Sequence, residues 1–210
     1  MALPKSDEAR ASYAIWTTSF MDWGLMLIGP VLGVGLHAAL PVGLNVRLSD
    51  TTDWVFEVTP MLTRKQCTNV HGRAARRCGT VRALKGAVGV AWTPWPGARG
   101  DGLFLHPKVS GMWTHDVASG PELTGGLEGG ERRETGGQVV LGLDVGYRKT
   151  AARSRAFIAP VLGVGVGYSW NQRRNRFDVG SQFGDPQGAE WKNQRIVDLN
   201  IDLVRFGATF

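Results

Sequence analysis

From Leu32 to Leu48 every second residue is apolar: Leu32, Val34, Leu36, Ala38, Leu40, Val42, Leu44, Val46 and Leu48. The residues between them, Gly33, Gly35, His37, Ala39, Pro41, Gly43, Asn45 and Arg47, are small or polar. A strand turns alternate side chains to opposite faces, whereas a helix would scatter both sets around its axis. The stretch from Trp23 to Leu44 carries no Asp, Glu, Lys or Arg and is long enough for a membrane-spanning helix. Its period of two, its glycines and its two prolines, Pro30 and Pro41, instead make Leu32–Leu48 one long strand.

The same period recurs along the chain. Trp54, Phe56, Val58, Pro60 and Leu62 alternate with smaller or polar residues, as do Leu84, Val88, Val90 and Trp92. Further series run from Leu103 to Trp113, from Val139 to Tyr147 and from Ile158 to Trp170. A weaker strand over about 12–27, before a tight turn at Gly29-Pro30, and a last one from about Val197 to Phe210 complete a set of eight. The second face of each strand is rich in the chain's 29 glycines, too small for a water-facing surface. It suits the crowded interior of a narrow barrel whose apolar face is turned to lipid. The reading is all-β: an eight-stranded antiparallel transmembrane β-barrel over 12–210 as a single domain, after a periplasmic N-terminal segment over 1–11. MALPKSDEAR itself has no apolar h-region and does not read as a signal peptide.

Connections alternate in length. SDTTD, TPWPGARGDG and KTAARSR are short, whereas the segments 67–78, 118–137 and 171–195 are long. Outer-membrane barrels have short periplasmic turns and long external loops, so the long segments are expected outside. Trp54, Trp92 and Tyr147 then fall at the periplasmic ends, and Trp113, Tyr168 and Trp170 at the outer ends, as two interfacial belts. With 20% charged and 43% hydrophobic residues, the chain is not a disordered one.

The candidate chemistry follows from this layout. His37, Asn45, Arg47, Glu57, Lys85, His106, Lys108, Asp144, Arg148 and Asp198 carry interior parity. So narrow a barrel has room for side chains and little else, which favours a paired network over a channel. Cys67 and Cys78 bracket a polar segment and are expected to form a disulfide in an oxidising compartment. A metal site on Cys67, His71 and Cys78 lacks a fourth ligand and a recognised spacing, so no metal or cofactor is expected. From Val58 to Gly100 there is no acidic residue, and Arg64, Lys65, Arg73, Arg76 and Arg77 cluster around the cysteines. Such a patch suits lipopolysaccharide phosphates or an acidic partner, the alternative being a merely solvated loop, and no motif points to nucleic acid.

The ending DLNIDLVRFGATF, with Val204, Phe206 and the terminal Phe210, resembles the C-terminal assembly signal of bacterial outer-membrane β-barrel proteins. The overall layout is similar to the class of small eight-stranded barrels. The resemblance implies recognition by the barrel-assembly machinery and an integral place in a Gram-negative-type outer membrane. Leu199, Ile201 and Leu203 are out of phase with Val204, Phe206 and Phe210; a β-bulge near Leu203–Val204 would reconcile them, and the alternative is that Val204 and Phe206 point inward. Some small barrels are lipid-modifying enzymes with a His and a Ser two apart. The nearest residues here, His115, Asp116 and Ser119, do not match that spacing, so a non-enzymatic structural or interaction role is expected. That role would act through the external loops, on outer-membrane lipid or an envelope protein partner. The alternatives are a lipid-modifying enzyme in the same barrel and a soluble calycin-like carrier of reversed polarity.

Overall fold

The computed structural model describes residues 12–18, 36–68, 74–97, 100–119, 131–152, 154–176 and 190–210. Its strands are β1 (Tyr13–Thr18), β2 (Leu36–Ala39), β3 (Val42–Arg47), β4 (Thr52–Thr68), β5 (Ala74–Trp92), β6 (Gly102–Ser119), β7 (Glu131–Thr150), β8 (Ala156–Arg176) and β9 (Glu190–Thr209). Every pairing is antiparallel. From β3 to β9 successive strands are neighbours, β2 pairs with β4, and β1 joins β3 to β9, so the sheet closes in a ring.

The long strand expected over Leu32–Leu48 is divided. Residues 32–35 lie outside the described ones, and the ladder breaks at Leu40–Pro41 between β2 and β3. Proline has no N–H to donate. The register against β4 nevertheless runs unbroken, from Ala39 opposite Met61 to Val42 opposite Val58, and the Leu40 N–H still reaches the Pro60 carbonyl at 3.1 Å. The two segments are therefore one stave, and among the described residues the nine strands make a ring of eight. The weak first strand is described only over Tyr13–Thr18, and the expected turn at Gly29-Pro30 lies outside the described residues.

The ring is staggered. Thr17 pairs with Val42 on one side and Phe206 on the other. From Val42 the register passes through Val58, Gly86, Gly111, Val139 and Tyr168 to Arg195, back on β9 but far along it from Phe206. A closed ring with this stagger has strands tilted by about 40° to its axis. The expected bulge is present. Ala159 pairs with Arg205 but Val161 with Asp202, so the extra residue of β9 falls at Leu203–Val204. Opposite it stands Pro160, where the ladder has no donor to lose. Beyond the bulge Phe206 and Phe210 face outward with Val197 and Leu199.

The short connections fall where the sequence indicates, after Arg47, Trp92 and Thr150. The long ones are corrected. Segment 67–78 is largely strand, since β4 continues to Thr68 and β5 starts at Ala74; β6 and β7 run to Ser119 and from Glu131, and β8 and β9 run to Arg176 and from Glu190. Backbone ladders do not need an apolar face, so pairing continues past the end of the apolar band. No helix among the described residues is long and apolar enough to cross a membrane.

Burial alternates strictly. Along β8, Phe157, Ala159, Val161, Gly163 and Gly165 are buried, and Ile158, Leu162, Val164 and Val166 are exposed, Val166 by 62%. The apolar series read from the sequence lies on the outside of the ring. The small and polar series lies inside.

Candidate functional site in the ring interior

The interior is built in two layers. Next to the short connections Trp16, Val55, Ala91, Phe104, Phe157, Ala159 and Val161 form an apolar floor. Inward glycines make this filling possible: a Cβ at Gly43 would overlap the Trp16 indole, and one at Gly163 would overlap the Asp144 carboxylate. The glycine-rich face is thus the face across which large side chains from other strands reach. The cavity left among Trp16, Asn45, Phe104, His106, Phe157 and Arg205 measures about 10 Å³, space for one water at most.

Above the floor lies a charged cluster. Lys108 Nζ stands 2.7 Å from Asp144 Oδ2 and 3.4 Å from Glu57 Oε2. Arg205 Nη2 donates to Glu57 Oε1 at 3.4 Å, and its guanidinium carbon lies 3.6 Å from the Trp16 ring centroid. His106 Nδ1 is 3.4 Å from Asp144 Oδ2, and Asn200 Nδ2 donates to Asp144 Oδ1 at 3.4 Å. Trp16 Nε1 donates to Asn45 Oδ1 at 2.7 Å. A second pair, Arg148 and Asp53, meets at 3.5 Å beside the floor, and Lys85 meets Asp198 at 3.5 Å towards the long connections. Two carboxylates, one ammonium and one guanidinium balance in charge, as buried ions require.

Of the sequence-derived interior residues, Glu57, His106, Lys108 and Asp144 meet in this cluster, Asn45 adjoins it through Trp16, and Arg148, Lys85 and Asp198 belong to the separate pairs. Arg47 pairs instead with Asp50, and the side chain of His37 lies outside the described residues. Sequence reasoning missed Trp16, Asp53, Asn200 and Arg205. Trp16 lies in the weakly alternating first strand, and Arg205 lies on β9 past the bulge, where parity counted from Leu199 fails.

Glu57, His106 and Asp144 offer ligand atoms within 4.8 Å of one another. Lys108 and Arg205 already supply the positive charge those carboxylates need, so the group fits an ion-pair network rather than a divalent metal. The catalytic candidates are not brought together. His115 stacks on Trp113 at 5.9 Å and contacts Thr135 Oγ1 at 3.3 Å, and Asp116, next along the strand, points to the opposite face. The side chain of Ser119 lies outside the described residues.

Of the basic candidates, Arg64 is exposed and faces outward. Arg73 and the side chains of Lys65, Arg76 and Arg77 lie outside the described residues, as do those of Cys67, Cys78 and Val204. The backbone brings both cysteines to neighbouring strand ends, beside register shifts at Lys65–Gln66 and Gln66–Thr68. No disulfide is seen among the described residues. Phe210 stacks on Tyr13 at 5.4 Å, and their backbones exchange hydrogen bonds of 2.9 and 3.3 Å, so this pair closes the ring. The chain matches no protein-family model, no curated protein and no solved structure.

Proposed function

We propose that this chain is an eight-stranded transmembrane β-barrel of a Gram-negative-type bacterial outer membrane, with a structural or interaction role. One observation carries the reading: the polarity of the ring is inverted. Outside, an apolar band runs from Trp54 to Leu62 on β4, from Leu84 to Trp92 on β5, from Leu103 to Trp113 on β6, from Val139 to Tyr147 on β7 and from Ile158 to Trp170 on β8. A tilted strand crosses a bilayer in about 9–11 residues, the length of these bands. Inside lie Glu57, His106, Lys108, Asp144 and Arg205. Water outside such a ring would meet a continuous apolar surface far larger than a soluble protein tolerates, which disfavours the calycin-like carrier.

Both band edges carry exposed aromatics, with Trp54, Trp92 and Tyr147 on one side and Trp113, Tyr168 and Trp170 on the other, as interfacial belts do. The strands continue beyond the second belt towards the long connections, and this end is assigned to the cell exterior. Outer-membrane lipid and lipopolysaccharide are the expected surroundings, the barrel-assembly machinery the expected reader of Phe206 and Phe210, and an envelope protein the expected partner of the outer connections. The filled floor argues against conduction, and the separation of His115 from Asp116 argues against the lipid-modifying enzyme.

The test is migration on a gel after refolding into detergent, with and without boiling, alongside incorporation into lipid vesicles. A folded barrel runs at a different position unheated than boiled and stays with the vesicles in high salt. A protein that is soluble without detergent and shows no shift overturns the reading.

A further inference from the structure

The outward face changes character abruptly at the outer edge of the apolar band. On β4 the outward series ends at Leu62 and the next outward residue is Arg64; on β5, past Leu84, it is Arg82; on β6, past Trp113, it is His115. On β7 the positions beyond Gly137 are Thr135 and Arg133. The register aligns these residues. Leu62, Arg82, His115, Thr135 and Gln172 form one row across five strands, and Arg64, Thr80, Val117 and Arg133 form the row above it. Among the described residues no outward position in either row is acidic. The acids at this level, Asp116 and Glu134, are cross-strand partners on the inward face. In these two rows the cations lie outward while Asp116 and Glu134 lie inward, which makes a lateral basic collar just beyond an aromatic belt.

We infer that this collar binds a glycolipid of the outer leaflet that carries two phosphates on one sugar headgroup. The inference rests on the membrane reading above. In that setting the residues next out from the apolar band lie at headgroup depth, where phosphate is the dominant anion. Arg64 and Arg82 are diagonal neighbours, about 7–8 Å apart at the backbone, close enough for their guanidinium groups to share one phosphate. Arg133 lies two strands from Arg82, about 10 Å across the sheet, and takes a second. Arginine suits this role because its fork donates two parallel hydrogen bonds to phosphate oxygens. His115, held by Trp113 and Thr135, lies between the two positions and offers its remaining ring nitrogen to the sugar.

The experiment uses the full chain in nonionic detergent and in vesicles of a neutral phospholipid. Binding of a purified bis-phosphorylated diglucosamine lipid is read by native mass spectrometry and by quenching of tryptophan fluorescence. It is compared with the same lipid after phosphate removal and with phosphatidylglycerol. Loss of both phosphates is expected to weaken binding at least about tenfold, with phosphatidylglycerol at the weaker level. The variant Arg64→Gln/Arg82→Gln/Arg133→Gln is expected to lose the preference while keeping the gel shift. Lys149→Gln/Arg155→Gln, at the opposite end, is expected to keep the preference. Equal binding of phosphorylated and dephosphorylated lipid overturns the inference, as does equal binding of phosphatidylglycerol or a preference that survives in the triple variant. These outcomes leave the barrel standing if the protein still enters vesicles and shifts on heating. Failure to enter vesicles removes the membrane reading and the collar with it.

Discussion

At the scale of single residues, the interior holds together because each charged group of the cluster meets an opposite charge carried by another strand. Asp144 is 1% exposed and lies between Lys108, His106 and Asn200. Asp144→Asn leaves Lys108 beside only the more distant Glu57, and is expected to destabilise the fold by about 3–5 kcal/mol, read from urea unfolding in vesicles. Lys108→Met combined with Asp144→Leu is expected to recover most of that loss, because neither charge is then stranded. Recovery no better than either single change would mean that the network is more than this pair. Glycine is equally specific here. Gly163→Val drives a side chain into the Asp144 carboxylate and Gly43→Val into the Trp16 ring, each expected to cost about 1–3 kcal/mol or to prevent closure. Gly111, whose added Cβ would meet nothing nearer than the Gln138 carbonyl at 3.7 Å, is the control, and Gly111→Ala is expected to unfold with the parent.

At the scale of strands, two of the irregularities are marked by prolines, and both are tolerated for the same reason. Pro41 interrupts the ladder without altering register, and Pro160 faces the extra residue of β9. The bulge sets the phase of everything after it. Deleting Val204 removes the extra residue opposite Pro160 and is expected to leave Arg205 inward and Phe206 and Phe210 outward, because the phase conflict disappears with the bulge. Deleting Gly207, where the strand is regular, is instead expected to turn Phe210 inward and to lose its stacking on Tyr13. The measurement is the heat-dependent gel shift, which the Gly207 deletion is expected to abolish and the Val204 deletion to preserve. Strand faces were legible in the sequence because period-two patterning depends only on neighbours along the chain. Strand ends were not. Residues such as Gln66 and Arg132 are polar on both faces of the chain and read as loop, yet they pair because the adjoining strand is already in register.

At the scale of the whole molecule, the floor and the charged layer act together as a plug. Trp16, Phe104 and Phe157 fill the ring near the short connections, and Arg205 and Arg148 lie over the Trp16 and Phe157 rings. In planar bilayers the protein is expected to give no stable open-pore conductance. A steady ohmic current from the parent chain would show that the interior is wider than the floor allows. Eight staves suffice for this filling because the ring is no wider than the side chains that line it.

By itself the amino-acid sequence determined the all-β antiparallel architecture, which residues share a face, the short connections and the place near Leu203–Val204 where a bulge would reconcile the last strand's two phases. These follow from local alternation, turn chemistry and a phase conflict visible along one strand. Only the tertiary structure decided which interior charges meet, because Glu57, Lys108, Asp144 and Arg205 come from β4, β6, β7 and β9, and their meeting depends on closure and stagger. It also decided that Arg64, Arg82 and Arg133 form one outward collar while Asp116 and Glu134 face inward. That grouping is set by register across four strands, which no stretch of one strand encodes.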